Sequence, residues 1–185
     1  MPQSPVYRFC PLCGGALQRR SRSLFTCTRC GYRFYQNAKP AVGAMITRGS
    51  GGKREILLVR RGVEPYSGYW DMPGGFIENG EDPLRALHRE IREELDTEIV
   101  VKELFTAEID TYPREGVPES ASNTLCLYYI CALTGAAGDR ETDREVELTP
   151  ADDITDCRWF PLGALPEKIA FDGNTRALEK LHDRY

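Results

Sequence analysis

The chain has 185 residues, 41% hydrophobic and 28% charged, with a net charge of −4, which suits one medium domain, or one domain with a small appendage, able to bury a core. With a mean hydropathy of −0.44 and no run of about 18 apolar residues, no membrane span is expected. The opening MPQSPVYRFC lacks the apolar stretch of a secretory leader, so a cytoplasmic protein without a membrane partner is expected.

Two cysteine knuckles come first, Cys10-Pro11-Leu12-Cys13-Gly14 and Cys27-Thr28-Arg29-Cys30-Gly31, separated by thirteen residues. Each CxxC puts two thiolates on one tight turn, and the glycine that follows lets the backbone curl towards the sulfurs. Together Cys10, Cys13, Cys27 and Cys30 predict a closed, structural Zn²⁺ site; two disulfides or a redox pair are the alternatives. Residues 1–39 carry seven Lys or Arg and no Asp or Glu, leaving 17 basic and 28 acidic residues for the remainder. A surface so charged can bind nucleic acid or substrate phosphates, dock on the acidic remainder, or only keep a small module soluble. Tyr7, Phe9, Phe25, Tyr32, Phe34 and Tyr35 have the rings to stack on bases, but a module this small needs them for its core. A nucleic-acid partner is therefore not expected.

Tyr35-Gln36-Asn37-Ala38-Lys39-Pro40 reads as a linker, dividing the chain into a ribbon over 1–36 and a second domain over 37–185. Ala41–Thr47 and Glu55–Arg60 predict strands around a turn at Gly49-Ser50-Gly51-Gly52. Arg60 and Arg61 leave the second strand, placed either for a substrate phosphate or simply for water. Tyr66 to Gly75, YSGYWDMPGG, supplies aromatic residues, Trp70 among them, for a base pocket or for packing beneath the next segment.

That segment, Gly75 to Thr97, turns through Asn79-Gly80 and then predicts a helix, with Asp82 as N-cap and Pro83 at the first helical position. Leu84, Leu87, Ile91 and Leu95 form an apolar stripe at helical spacing. Glu90, Glu93 and Glu94 crowd a neighbouring face, where like charges repel. A bound Mg²⁺ or Mn²⁺ removes that conflict, and a solvated acidic face is the plainer reading. The whole stretch, Gly75, five residues, Glu81, seven residues, then Arg89-Glu90-Ile91-Arg92-Glu93-Glu94, resembles the signature of the Nudix hydrolases, G-x5-E-x7-R-E-U-x-E-E-x-G-U, where U is a bulky aliphatic residue. It departs only at Asp96 and Thr97, which stand where the pattern has glycine and an aliphatic. Asp tolerates the left-handed conformation of a helix end better than most residues.

Beyond the helix, Glu98–Asp110 predicts a strand, Thr111–Ser122 a polar loop, and Asn123–Leu133 a largely buried strand holding Cys126 and Cys131 as structural thiols. Gly135–Asp153 reads as a long acidic loop, Cys157–Leu162 as a last strand, and Thr175–His182 as a closing helix. The Nudix resemblance implies an α/β fold, an α/β/α sandwich preceded by the small zinc ribbon.

It also implies chemistry. Glu90 and Glu94 become the principal Mg²⁺ or Mn²⁺ ligands, with Glu93 shared or second and Gly75 offering its backbone carbonyl. Glu81 and Arg89 match a supporting ion pair. The general base is Glu93 or Glu94, or an acid from the later loop: Glu145, Glu147, Asp152 or Asp153. Arg60, Trp70 and Phe76 are candidate substrate contacts. A four-cysteine ribbon before such a domain is similar to NADH pyrophosphatases and to plant-type FAD and ADP-ribose pyrophosphatases. The S-Q-P-W-P-F-P-type motif of the first group is missing between Glu98 and Ser122, while YQNAKPAVGAMI and WFPLGALPEKIAF resemble the second. The expected substrate is thus a small nucleotide diphosphate derivative, ADP-ribose or FAD before NADH, cleaved to release AMP; a homodimer is compatible with the family. The competing reading is a non-catalytic sensor of a nucleotide or RNA. An isopentenyl-diphosphate isomerase on this fold needs a reactive Cys and a further Glu in motifs not found here.

Overall fold

The computed structural model describes residues 7–113, 123–134 and 148–185. Most of the predicted loops Thr111–Ser122 and Gly135–Asp153, with the candidate bases Glu145 and Glu147, lie outside the described residues. Three short antiparallel strands carry the ribbon: β1 (Leu17–Arg19), β2 (Leu24–Cys27) and β3 (Arg33–Tyr35), in that order. Their small core is aromatic, with Phe25 buried and the Tyr7 and Phe34 rings 4.6 Å apart.

The second domain is built on a mixed sheet of β4 (Lys39–Arg48), β5 (Glu55–Arg61), β8 (Ile99–Thr111), β9 (Asn123–Leu133) and β10 (Ile154–Pro161), ordered β10-β5-β4-β9-β8. Strands β4 and β9 run parallel; the other pairs are antiparallel. Two short strands, β6 (Trp70–Asp71) and β7 (Gly74–Phe76), pair with β5 and β4. Strand β4 begins at Lys39, inside the stretch read as linker, and β10 begins three residues before its expected start.

Helices α1 (Pro83–Leu95) and α2 (Asp172–Arg184) cover opposite faces of the sheet. Alternation along the strands sorts the core. Val42, Ala44, Ile46, Leu57, Val59 and Cys131 pack with Leu87, Ile91 and Leu95 of α1. Met45, Ile56, Leu58, Tyr128 and Ile130 pack with Ala177, Leu178 and Leu181 of α2. The central strands are apolar almost throughout because both their faces are covered. This is an α/β/α sandwich. Ion pairs hold α2 to β8, from Arg176 and Lys180 to Glu108 and from Arg184 to Glu103.

Helix α1 is capped as its sequence dictates: the Asp82 carboxylate accepts N–H bonds from Leu84 at 2.9 Å and Arg85 at 3.3 Å. Leu84 itself departs from the expected stripe and is exposed, because it lies in the first turn and burial begins at Ala86. Asp96 ends the helix at φ 48° and ψ 43°, left-handed, with its N–H on the Arg92 carbonyl.

Along one side β4 changes partner. Ala41, Val42 and Gly43 pair with β7, whereas Thr47 and Arg48 pair with β5. The sheet opens where those partners part. Gly74 lies there at φ 145°, so close to β4 that a Cβ would strike the Val42 carbonyl oxygen.

Because Asp96 bears the cost of a left-handed conformation that glycine escapes, Asp96→Gly is expected to stabilise the protein by about 0.5–1 kcal/mol. Urea denaturation checks this, and an unchanged or lowered midpoint would contradict it.

Candidate active site

At that opening lies a pocket of about 370 Å³, floored by β4 and β7 and walled by α1. Helix α1 feeds it carboxylates because Glu90 and Glu94 fall within its core-facing arc, at helical spacing from Ala86, Leu87 and Ile91. Glu94 is 7% exposed and accepts the Gly74 N–H through Oε2 at 2.9 Å. Burial raises its pKa well above the ordinary carboxylate value, against the pull of that one bond. Burial raises Glu90 as well, although the Arg89 guanidinium opposes it. The Glu90 carboxylate lies over Gly75 so tightly that a Cβ there would come within 2.5 Å of it.

Arg89 ties the helix to the loop before it. Its Nε and Nη2 each bond a different oxygen of Glu81 at 3.0 Å, a two-pronged pair. Nη2 also donates to the Phe76 carbonyl at 3.1 Å, and Nη1 reaches Glu90 at 2.8 Å and Glu93 at 3.0 Å. Glu81, which accepts the Glu78 N–H as well, is brought down to about 2 chiefly by its bonds to Arg89. Glu81 and Glu93 do not line the pocket; Gly75, Phe76, Arg89, Glu90, Glu94, Asp152 and Asp153 do.

Two expected substrate contacts lie elsewhere. Arg60 is exposed, its Nε on the Gly68 carbonyl at 3.1 Å, and the residue aimed into the pocket is Arg61. Trp70 packs on Phe160, 4.8 Å between centroids, and its neighbour Asp71 enters the pocket instead. Strand alternation explains both: Arg61 shares a face with Val59, and Asp71 pairs across from it. That parity was available in the sequence, but not which parity faced the pocket.

Arg61 is fixed by Asp71 at 2.9 Å and the Pro65 carbonyl at 2.7 Å. Asp71, raised by burial, also accepts from Asn174 Nδ2 at 2.5 Å, and Asn174 Oδ1 accepts the Tyr128 hydroxyl at 2.6 Å. The Phe171 ring lies 5.1 Å from the Arg61 guanidinium and stacks on Tyr112 at 5.5 Å, with Phe76 at 5.6 Å from Tyr112. Tyr66 meets Phe171 edge-on at 4.9 Å. Both hold unusual positive φ angles, 66° and 62°, a backbone cost of roughly 1–3 kcal/mol each that packing must outweigh. No motif marked Tyr112 or Asn174 beforehand, and Phe171 only closes the WFPLGALPEKIAF segment, without a role of its own.

The pocket thus joins a carboxylate end to an aromatic, cationic end, with seven carboxylates against two guanidiniums. The desolvated donors among them, Glu94 and the Glu90 carboxylate cradled on Gly75, fit a Mg²⁺ or Mn²⁺ ion. Among the described residues, however, the one group of three or more His, Cys, Asp or Glu whose donor atoms converge within 4.8 Å is in the ribbon.

There Cys10, Cys13, Cys27 and Cys30 bring their sulfurs together, unbonded, with Cys10–Cys30 at 3.8 Å and Cys13–Cys27 at 3.5 Å. A tetrahedron with metal–sulfur bonds of about 2.3 Å has edges of about 3.8 Å, so the set fits a zinc ribbon. Gly14 and Gly31, at φ 70° and 74°, close the two knuckles. The Cys30 and Arg29 N–H groups bring the Cys27 thiol down to about 6. Burial instead pushes Cys126 and Cys131 up to about 12, as suits unreactive packed thiols.

Comparison with known proteins gives a match to the NUDIX domain family model over residues 37–181. An ADP-ribose pyrophosphatase of Methanocaldococcus jannaschii is 32% identical over 143 residues, covering 76% of this chain and 72% of that protein. The NAD-capped RNA hydrolase NudC of Pseudomonas aeruginosa is 28% identical over 161 residues, 86% of this chain. The chain spans about half the length of that relative, 49%. A crystal structure of a NUDIX hydrolase from Nitrosomonas europaea superposes with a TM-score of 0.70 at 24% identity, over 96% of this chain and 92% of that one.

Two outcomes are expected. Cys13→Ser loses zinc, measured by elemental analysis, and melts lower; retained zinc with an unchanged melting temperature would count against the four-cysteine site. Glu94 is raised above its unfolded value, so the folded state holds its proton more tightly and its burial costs stability as pH rises past the unfolded value. In chelator, Glu94→Gln should therefore be more stable than the parent at pH 8, with the gap closing towards pH ~4.5. A gap independent of pH would sink this account.

Proposed function

The chain belongs to the NUDIX domain family, and on that premise we propose that it hydrolyses the diphosphate bridge of a nucleoside diphosphate joined to a second moiety, releasing AMP. The observation that carries this reading is the buried pair Glu90 and Glu94, set over Gly74 and Gly75 at one end of a pocket whose other end is aromatic. Glu90 and Glu94, with the Gly75 carbonyl, would hold Mg²⁺ or Mn²⁺. Such an ion neutralises phosphate charge and lowers the pKa of a bound water. The ribbon cysteines would hold structural Zn²⁺.

The chain's own groups do the positioning. Arg89 fixes Glu90 against the loop, and the Gly74 N–H orients Glu94. Arg61, immobilised by Asp71, presents a cation to a phosphate, and the wall of Phe76, Tyr112 and Phe171 takes the flat base. The proton acceptor comes from the acids that line the pocket, Glu94, Asp152 or Asp153; Glu93 is tied to Arg89 outside that lining. ADP-ribose or FAD is the favoured substrate. The relative named ADP-ribose pyrophosphatase matches at higher identity and over more of its own length than the NudC protein does. The latter's name makes NAD-capped RNA an alternative.

Purified protein with Mg²⁺ or Mn²⁺ is expected to release AMP from one member of a panel of ADP-ribose, FAD, NADH, NAD-capped RNA, diadenosine polyphosphates and nucleoside triphosphates. Glu90→Gln and Glu94→Gln should each lower that rate by about 100-fold or more while the fold persists. Silence across the panel with tight binding of one member would replace the hydrolase by a nucleotide sensor.

A further inference from the structure

The ribbon's aromatic residues are divided between its core and its surface. Tyr7, Phe25 and Phe34 pack against one another, while Phe9 is 70% exposed and Tyr35 53%. Strand register shows which side Tyr35 occupies. Gln18, Thr26 and Arg33 form one cross-strand row, and Leu24 and Tyr35 form the next. The Arg20 N–H donates to the Leu24 carbonyl at 2.8 Å, extending that second row. One sheet face therefore carries Arg20, Arg33 and Tyr35, and the other is filled by Phe25, Cys27 and Phe34.

The charge is all of one sign, although Arg19, paired across from Phe25, lies on the other face. Arg8, Arg19, Arg20, Arg22, Arg29 and Arg33 are all exposed. Among the described residues none of them pairs with a carboxylate; the side-chain bonds of Arg19 and Arg29 go to ribbon carbonyls. A cationic face with a flat ring and no carboxylate in residues 1–39 complements a polyanion that also offers planar groups.

We propose that the ribbon binds single-stranded nucleic acid without regard to sequence, its arginines on phosphates and Tyr35 stacked on a base. This surface and its ligand stand apart from the reading of the pocket, which can fail without it. Phe9 and Tyr35 thus depart from the expectation that these rings serve the ribbon core.

Fluorescence anisotropy of the full, zinc-analysed chain with labelled oligouridylate and oligothymidylate of roughly 20 nucleotides tests it. Affinity for either strand is expected at low salt, with log K falling against log salt at a slope of about −2 to −3, as for three or four phosphate contacts. The R8Q/R20Q/R22Q/R33Q variant removes four side chains that make no hydrogen bond within the described structure, and should weaken binding at least about tenfold and flatten that slope. Tyr35→Ala should weaken it about fivefold or more with the slope unchanged. Zinc content, melting temperature and hydrolysis of a small diphosphate should persist in both. No binding at low salt, or binding indifferent to these variants, overturns the proposal. So does light scattering that shows the arginines needed for a dimer while oligonucleotides do not bind, which assigns the face to a second copy.

Discussion

Two carboxylates on the core-facing arc of one helix set the terms for everything around them. A helix chosen for stability alone would place apolar groups where Glu90 and Glu94 stand, because desolvating an ionised carboxyl costs far more than burying a methylene. Their burial is tolerable because neighbours are built for it. The Gly74 N–H points at Glu94, and Gly75 leaves room for Glu90. Arg89 spends its donors on Glu81, Glu90, Glu93 and the Phe76 carbonyl, so helix and loop are held as one piece. Removing any one of these leaves a charge without its counterpart.

The far wall of the pocket depends on a different set of constraints. Helix α2 delivers Phe171 and Asn174 to it, and α2 keeps its place partly through the cations it lays on the acids of β8. Asn174 then relays position: it bonds Asp71, which holds Arg61, and it accepts from Tyr128 beneath. Fully partnered polar chains of this kind specify one arrangement, since each lost bond would strand a buried group. Strained φ angles at Tyr66 and Phe171, which touch each other, mark the same corner. Strain gathered in contacting residues at a pocket's edge is more economically explained by a shape the pocket needs than by packing alone.

The carboxylate end was legible in the sequence and the aromatic end only at Phe76 and Arg61, for physical reasons. The spacing from Gly75 to Glu94 lies on one loop and one helix, where local geometry fixes which side chains meet; the Asp82 cap and the left-handed Asp96 followed from the same local rules. Leu84 was misjudged because helical spacing says which face a residue is on, not where the helix meets the sheet. Arg61, Tyr112 and the Phe171–Asn174 pair come from three separated segments, and only the completed sheet brings them together. Arg60 and Trp70 show the limit sharply: a shift of one residue along a strand exchanges the two faces, and nothing local reveals which face is inside. The ribbon's strands, three or four residues long, carry too few positions to show a period.

Charge connects the two ends. On the proposed function, phosphates entering a pocket with seven carboxylates and two guanidiniums would meet net repulsion. Desolvation that makes Glu90 and Glu94 costly as free anions would make them correspondingly strong donors to a cation. Substrate and cation would then be mutually dependent ligands, each relieving the charge that excludes the other. On the proposed function Arg61 would orient the anion more than attract it, because the buried Asp71 offsets its charge but holds its direction, whereas Arg89 has its donors on Glu81, Glu90, Glu93 and the Phe76 carbonyl.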